Sequence, residues 1–465
     1  MLLKIFSFYM NELDRGNWYE PKGDFGWRTL VHVCRRWRTV VFASPCRLDL
    51  RLLCTKERPV REMLDIWPAL PISICSVKND LSSVMKGADN IIAALEHNDR
   101  VCQISLCDFT SLHLEKFTAA MHKPFPVLMD LAIKLYTGVE LAPAIPDSFL
   151  GGSASHLRRF CLSGVAFPAL PKLLLSATDL VHLDLRNIPY LGYIPPEAMA
   201  TCLSALTRLE GFALEFHSPK SLPSPINRRP PLPTRIVLPA LTELYLQGLS
   251  EYLEDLISRI DVPLLHYIHL VLYNPFNFDS PQFVQFLTRT EKSSAFIRAN
   301  LTISRLYRDL TFFPQSGPPD YLRVVFETLY GYREVELSSL ARFCSSLLSP
   351  LSTLELLSLE VKPYRSLNWK DDMENPTKWL EFLHTFYALK TLYLDAKVVP
   401  LVARALQELV GERVTEVLPA LQNIVLKPQQ PKLSKPVPEA IEQFVAARQF
   451  SGHPVAVRLE EEESG

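Results

Sequence analysis

At 465 residues, with 48% hydrophobic and 21% charged side chains, the chain has the composition of a folded protein and not of a disordered one. A formal net charge of −1 removes the global positive field on which non-specific binding to nucleic acid or an anionic membrane depends. Glycine is scarce at 16 and proline abundant at 37, which argues against phosphate-cradling loops and for frequent element ends.

Length alone asks for on the order of two to four domains, unless repeats stack in one dimension. Nine cysteines fall at 34, 46, 54, 75, 102, 107, 161, 202 and 344, an odd number with no C-x-x-C. Free, mostly buried thiols in a reducing compartment are expected. The apolar stretch Met1–Met10 is short and has no small-residue cleavage site, so no signal peptide is expected, and no run of 18 apolar residues predicts a membrane span.

Leu2, Leu3, Ile5, Phe6 and Tyr9 fall on overlapping faces of a first helix. Residues 11–26, with Pro21, Gly23 and Gly26, read as a loop. Leu30, Val33, Cys34, Trp37, Val40 and Val41 then step by three and four, as one helical segment or two short helices meeting near Cys34, ended at Ser44-Pro45. Residues 1–62 carry 12 Lys/Arg against 7 Asp/Glu; without an aromatic platform, Arg35, Arg36 and Arg38 read as a solvated face.

Leu30-Val31-x-x-Cys34-Arg35-x-Trp37-Arg38, followed by Ala43-Ser44-Pro45, resembles the second half of an F-box, and Leu2-Leu3-x-Ile5-Phe6 is similar to its first helix. Together with Cys46–Thr55 and Trp67-Pro68-Ala-Leu-Pro71-Ile, the stretch resembles the F-box proteins expanded in mushroom-forming fungi. The resemblance implies an F-box-like helical module at residues 1–45, shorter at its start than the family's motif. It implies docking on a Skp-family adaptor, and through it on a cullin ligase, in the cytoplasm or nucleus. Leu2, Ile5, Phe6, Leu30, Val33, Cys34 and Trp37 are then the candidate adaptor-binding or core residues.

Leu48–Leu52 alternates and predicts a first strand, Val60–Trp67 a helix, Leu70–Val77 a strand, and Asp89 the cap of a helix over Ile91–Leu95. The pattern P-x-L-x-x-L-x-L then recurs at Pro126, Pro239, Pro263 and Pro419. Anchors at Val101, Leu128, Leu157, Leu180, Leu209, Leu241, Leu265, Arg298, Tyr332, Leu354, Leu389 and Leu421 are spaced by about 29 residues on average, at the long end for leucine-rich repeats. Helical spacing follows at Leu249–Ile260, Phe283–Leu287, Leu340–Leu347, Trp379–Phe386 and Val402–Val410. The predicted fold class is therefore α/β: an irregular leucine-rich-repeat solenoid of parallel strands and helices over 46–428, preceded by the small all-α module. Ser218–Pro233, Pro314–Pro319 and Lys370–Pro376 read as loops. Residues 429–465 read as a cap, with a helix over Ala440–Val445, a strand over Val455–Val457 and an acidic tail at Glu460–Glu463.

No phosphate loop, dinucleotide fingerprint, metalloprotease helix or nucleophile elbow occurs, so neither catalytic residues nor a cofactor are expected. Cys102, Cys107 and His113 fit no common zinc spacing and read as buried groups. His266 and His269 are expected on opposite sides of a strand, and Glu251, Glu254 and Asp255 on a solvated helix face. Three readings follow. The first is a substrate receptor of an SCF-type ubiquitin ligase with an unspecified target protein. The second is a leucine-rich-repeat binding scaffold in which the helices only cap the array. The third is a regulator like the Ran GTPase-activating proteins, which would need Arg186-Asn187 exposed toward a nucleotide. Tyr245 is the candidate target-binding residue, because it alternates outward from Leu244 and Leu246.

Overall fold

The computed structural model describes residues 2–12, 25–45, 48–55, 60–76, 88–135, 144–217, 235–273, 281–290, 296–304, 307–314, 321–327, 336–347, 351–362, 371–409, 411–427 and 437–459. Of the loop expected at 11–26, residues 11–12 and 25–26 belong to the flanking helices and 13–24 lie outside the described residues, as do the loop expected at 218–233, the strand anchored at Tyr332 and the tail at Glu460–Glu463. Two compact units divide the chain, residues 1–226 and 227–465.

The first unit opens with three helices, α1 (Leu2–Glu12), α2 (Phe25–Val33) and α3 (Arg35–Phe42). The second predicted segment is thus two helices, broken at Cys34. There the backbone is extended, and the thiol Sγ accepts the Trp37 N–H at 3.5 Å as a weak cap. Phe6, Trp27, Leu30, Val31 and Val41 fill the interior. Trp27 also reaches the first repeat. It meets Phe42 and Trp67 edge to face, and its indole N–H donates to the Arg51 carbonyl at 3.1 Å.

Seven parallel strands follow in sequence order: β1 (Leu52–Cys54), β2 (Ile72–Cys75), β3 (Val101–Phe109), β4 (Asp130–Leu135), β5 (Arg159–Ser163), β6 (His182–Ile188) and β7 (Gly211–Phe216). Helices α4 (Val60–Ile66), α5 (Ala88–Leu95), α6 (Ser111–Ala120), α7 (Leu170–Leu174) and α8 (Pro196–Ser204) connect them. The strand expected at Leu48–Leu52 begins only at its last residue. Asp49 takes a left-handed φ of 49°, which an extended strand cannot contain. Asp89 lies inside the first turn of α5 instead of capping it, where its charge still favours the helix N-terminus.

Eight of the twelve predicted anchors share one backbone device. Leu128, Leu157, Leu180, Leu209, Leu241, Leu354, Leu389 and Leu421 each donate their N–H to the carbonyl three residues earlier, at 3.0–3.4 Å. Each is buried. The turn drives the leucine inward, and the strand starts two residues later. A fully buried leucine stabilises by about 1.5–3 kcal/mol, so the anchor sets the register of its repeat.

The second unit begins with a small parallel pair, β8 (Ile236–Val237) and β10 (Ile260–Asp261). Its main sheet holds β9 (Glu243–Leu249), β11 (Tyr267–Tyr273), β12 (Phe296–Ile303), β13 (Tyr307–Pro314), β14 (Tyr321–Glu327), β15 (Leu356–Val361), β16 (Thr391–Asp395), β17 (Asn423–Lys427) and β18 (Ala456–Leu459). The spatial order is β9-β11-β14-β13-β12-β15-β16-β17-β18. Helices α9 (Ser250–Ser258), α10 (Pro281–Arg289), α11 (Leu337–Ser346), α12 (Asp371–Glu374), α13 (Pro376–Leu383) and α14 (Val399–Gln407) connect them, and α15 (Glu439–Phe450) leads into β18.

Two corrections arise here. Lys370–Pro376 is not a plain loop, since α12 occupies part of it and Met373 is buried, with its carbonyl accepting from the Trp379 indole at 2.8 Å. The array is also interrupted. β12, β13 and β14 form an antiparallel meander inserted between β11 and β15, with only β13 reversed. Pro314, expected in a loop, is the last residue of β13. The segments joining these three strands, 304–306 and 315–320, are too short for a helical crossover, so each strand must return beside its predecessor.

Candidate functional site

Two surfaces carry candidate residues: the outer side of the helical module and the helix-free face of the sheet in each unit. In the module, Phe6 and Leu30 are interior, and Trp37 is half-buried against Phe6 at 4.8 Å between ring centroids. Leu2 is half-buried. Ile5 and Val33 point outward, 52% and 57% exposed, and Cys34 is exposed. The sequence reading missed Phe8, which is 66% exposed. With Ile5 and the partly exposed Tyr9 it forms an i, i+3, i+4 apolar face on α1. The signal was in the sequence: the interior claims Phe6, and two residues on, Phe8 lies about 160° around the helix from it, on the side of Ile5.

On the sheets, alternate strand residues point away from the helices. In unit 1, neighbouring strands place Asp130, Arg159 and His182 in one row and Cys161 beside Asp184 in the next. Charges on this face are paired: Arg159 with Asp130 at 3.4 Å, and Arg186 with Asp184 at 2.7 Å and with Glu215 at 3.9 Å. Arg186 is thus committed to its own sheet. Asn187, at φ 49°, donates to Ser163 Oγ at 3.3 Å. Neither is presented for transition-state stabilisation on a partner's nucleotide.

In unit 2 the face is more aromatic. The register aligns Tyr245 with His269 and His269 with Arg323. Tyr245 and His269 meet edge to face at 4.8 Å. The Tyr245 hydroxyl donates to Gln247 Oε1, and Gln247 donates through Nε2 to the Tyr273 hydroxyl at 2.6 Å. Leu244 and Leu246 are fully buried on the helix side. Asp309 accepts a bidentate pair from Arg323, at 3.0 and 2.7 Å. Burial pushes the Tyr267 hydroxyl pKa above its usual range, reinforced by the adjoining Tyr321.

The remaining candidates resolve into structure. Cys102 contacts the Ile72 carbonyl at 3.5 Å, Cys107 lies 3.9 Å from Ser105 Oγ, and His113 pairs with Thr110 Oγ1 at 2.8 Å and stacks on Phe117. Among the described residues no group of three His, Cys, Asp or Glu is placed to hold a metal ion. The described cysteines are free, and all but Cys34 are buried. Glu254 and Asp255 are not merely a solvated face. Glu254 accepts the Phe283 N–H at the start of α10 at 3.1 Å, and Asp255 holds the buried Arg259 at 2.9 Å.

No helix of the described residues is long and apolar enough to cross a membrane. No protein-family model matches the chain, and no curated protein does. Among solved structures, the crystal structure of the leucine-rich repeat-containing protein LegL7 from Legionella pneumophila is similar at 15% identity, over 65% of this chain and 83% of that one, with a TM-score of 0.25. The repeat assignment rests on this chain's own turns and register.

Proposed function

We propose that the chain is a non-catalytic substrate receptor of an SCF-type ubiquitin ligase. The helical module docks on a Skp-family adaptor, and the helix-free sheet face holds a target protein. Its mechanism is proximity: binding both partners raises the effective concentration of the ubiquitin donor near a target lysine. The observation that carries this reading is the outward apolar face of α1, Ile5, Phe8 and Tyr9, on a module whose interior is already filled by Phe6, Trp27 and Leu30. Pulldown of purified full-length chain with a Skp-family adaptor tests it. Wild type is expected to be retained and an Ile5→Asp/Phe8→Asp double variant lost, with unchanged unfolding midpoints because both positions are exposed. Failure of the wild type to bind sinks the ligase reading. Leu30 is a poor probe, since a charge there would unfold the module.

A second reading, a binding scaffold with no ligase role, is favoured by the Trp27–Phe42–Trp67 cluster, which ties the module to the first repeat as a cap would. Under it, neither protein binds the adaptor, while target binding by the sheet face persists.

A further inference from the structure

Five side chains cross the helix-free face of unit 2, one per strand. The register sets Glu243 beside Tyr267 and Tyr267 beside Tyr321. Tyr321 packs on Phe313, with ring centroids 6.3 Å apart, and Phe313 pairs with Arg298. The order across β9, β11, β14, β13 and β12 is acid, three half-buried aromatics, base. Tyr267 and Tyr321 meet edge to face at 4.5 Å, and the Arg298 guanidinium sits over the Phe313 ring at 5.5 Å. The aromatics therefore form a continuous floor with a charge at each end.

Those two end charges differ from their neighbours. Arg323 is matched by Asp309 at 2.7 Å and Lys427 by Glu360 at 2.8 Å. Glu243 and Arg298 are exposed, and neither makes an ion pair among the described residues. Two residues along β12 on the same face, the Asn300 side-chain oxygen is buried with no hydrogen-bond partner among the described residues. A buried acceptor left unmatched calls for a donor from outside.

We propose that this strip binds an extended polypeptide segment of a target protein. A basic side chain of that segment lies against Glu243, an acidic one against Arg298, and apolar side chains lie on Tyr267, Tyr321 and Phe313. Strands lie about 4.8 Å apart, so four steps separate the end charges by about 19 Å, or about six residues of extended chain. An extended segment has unpaired backbone N–H groups to offer Asn300, whereas those of a helix are spent internally. One unmatched guanidinium neutralises one carboxylate; a phosphate dianion would call for a second free cation, and Arg323, two strands away in the same sheet, is already held by Asp309. The proposal rests on the reading of this chain as a target-binding receptor or scaffold, and it names the class of segment bound.

The full-length chain is first used to select from a random displayed peptide library. Fluorescence anisotropy then measures three labelled octapeptides, each with four central apolar residues: one flanked by lysine and glutamate, one by two lysines, one by two glutamates. Wild type is expected to prefer the mixed peptide by about fivefold over either other, since each exposed pair gained in place of a like-charge contact is worth on the order of 1 kcal/mol. Arg298→Glu should switch the preference to the two-lysine peptide and Glu243→Lys to the two-glutamate peptide, both with wild-type unfolding midpoints. If the library yields binders but the two substitutions leave the preferences unchanged, the strip is wrong and the binding reading survives. If the library yields no binder, the binding reading itself fails. Tighter binding of a phosphoserine peptide than of its glutamate counterpart overturns the carboxylate assignment.

Discussion

Leu244 and Tyr245 are adjacent in the chain and lie on opposite sides of the sheet. One is sealed against the helices, and the other is tied into the Tyr245–Gln247–Tyr273 chain of hydrogen bonds. Tyr245 is therefore a braced surface residue, and the freer groups on that face are Glu243 and Arg298. The same burial that hides leucines shapes the thiols. Burial pushes the Cys54 and Cys161 thiols up to about 12 and Cys202 up to about 11, from an ordinary value near 9.0; for Cys161 the nearby Asp184 adds to it. Burial raises Cys344 as well. Between about pH 9 and the raised values the unfolded chain loses protons that the native chain keeps, so native stability falls as pH rises through that window and is flat in these groups below it. Urea midpoints at about pH 8 and about pH 10.5 should show this fall, and a Cys54→Ala/Cys161→Ala double variant should show a shallower one. An identical pH dependence in the two proteins would remove the thiols from the account.

At the level of elements, α10 shows how one repeat stabilises the next. Pro281 opens the helix and brings no N–H to satisfy. The Phe283 N–H, one of the orphans of the first turn, is capped from α9 by Glu254. Glu254→Ala is expected to cost about 1 kcal/mol and to speed amide exchange at residues 283–286, while Glu254→Gln keeps the acceptor and most of the protection. Equal exchange in all three proteins would show that the bond contributes nothing. Elements of this kind were legible in the sequence wherever a leucine anchor and a helical stretch alternate, because the buried face of each strand and helix is written in its own spacing. The meander was not. Arg298 and Tyr332 served as anchors for two further strand–helix repeats, although Ala299/Leu301/Ile303, Leu310/Phe312 and Leu322/Val324/Phe326 alternate at period two with no helical spacing between them. The strip from Glu243 to Arg298 was illegible for the same reason. Its members become neighbours only once the strand order is known, and that order departs from the chain order between β11 and β15.

At the scale of the whole chain, an array of repeats must end, and the last strand must not leave its core open. In unit 2 that end is built around Arg448 of α15, which is 0% exposed. It has no carboxylate partner among the described residues; its guanidinium donates to the carbonyls of Val414 and Pro419, each at 3.3 Å, and of Leu421 at 3.2 Å. These carbonyls belong to the turn that leads into β17, the strand against which β18 pairs. A planar fork of donors suits three acceptors at once, which a lysine ammonium on a thinner stem does not. Arg448→Ala should therefore cost about 3 kcal/mol, because buried carbonyls lose their donors and a cavity opens. Arg448→Lys should recover little. In a one-dimensional array each repeat is stabilised by its neighbours, so the loss should be local. Hydrogen exchange is expected to quicken in β16 and β17 and to stay unchanged in β4 to β6. Uniform loss of protection across both units would mean that the chain unfolds as one body, and no loss at β17 would mean that α15 and β18 only decorate the end of the sheet.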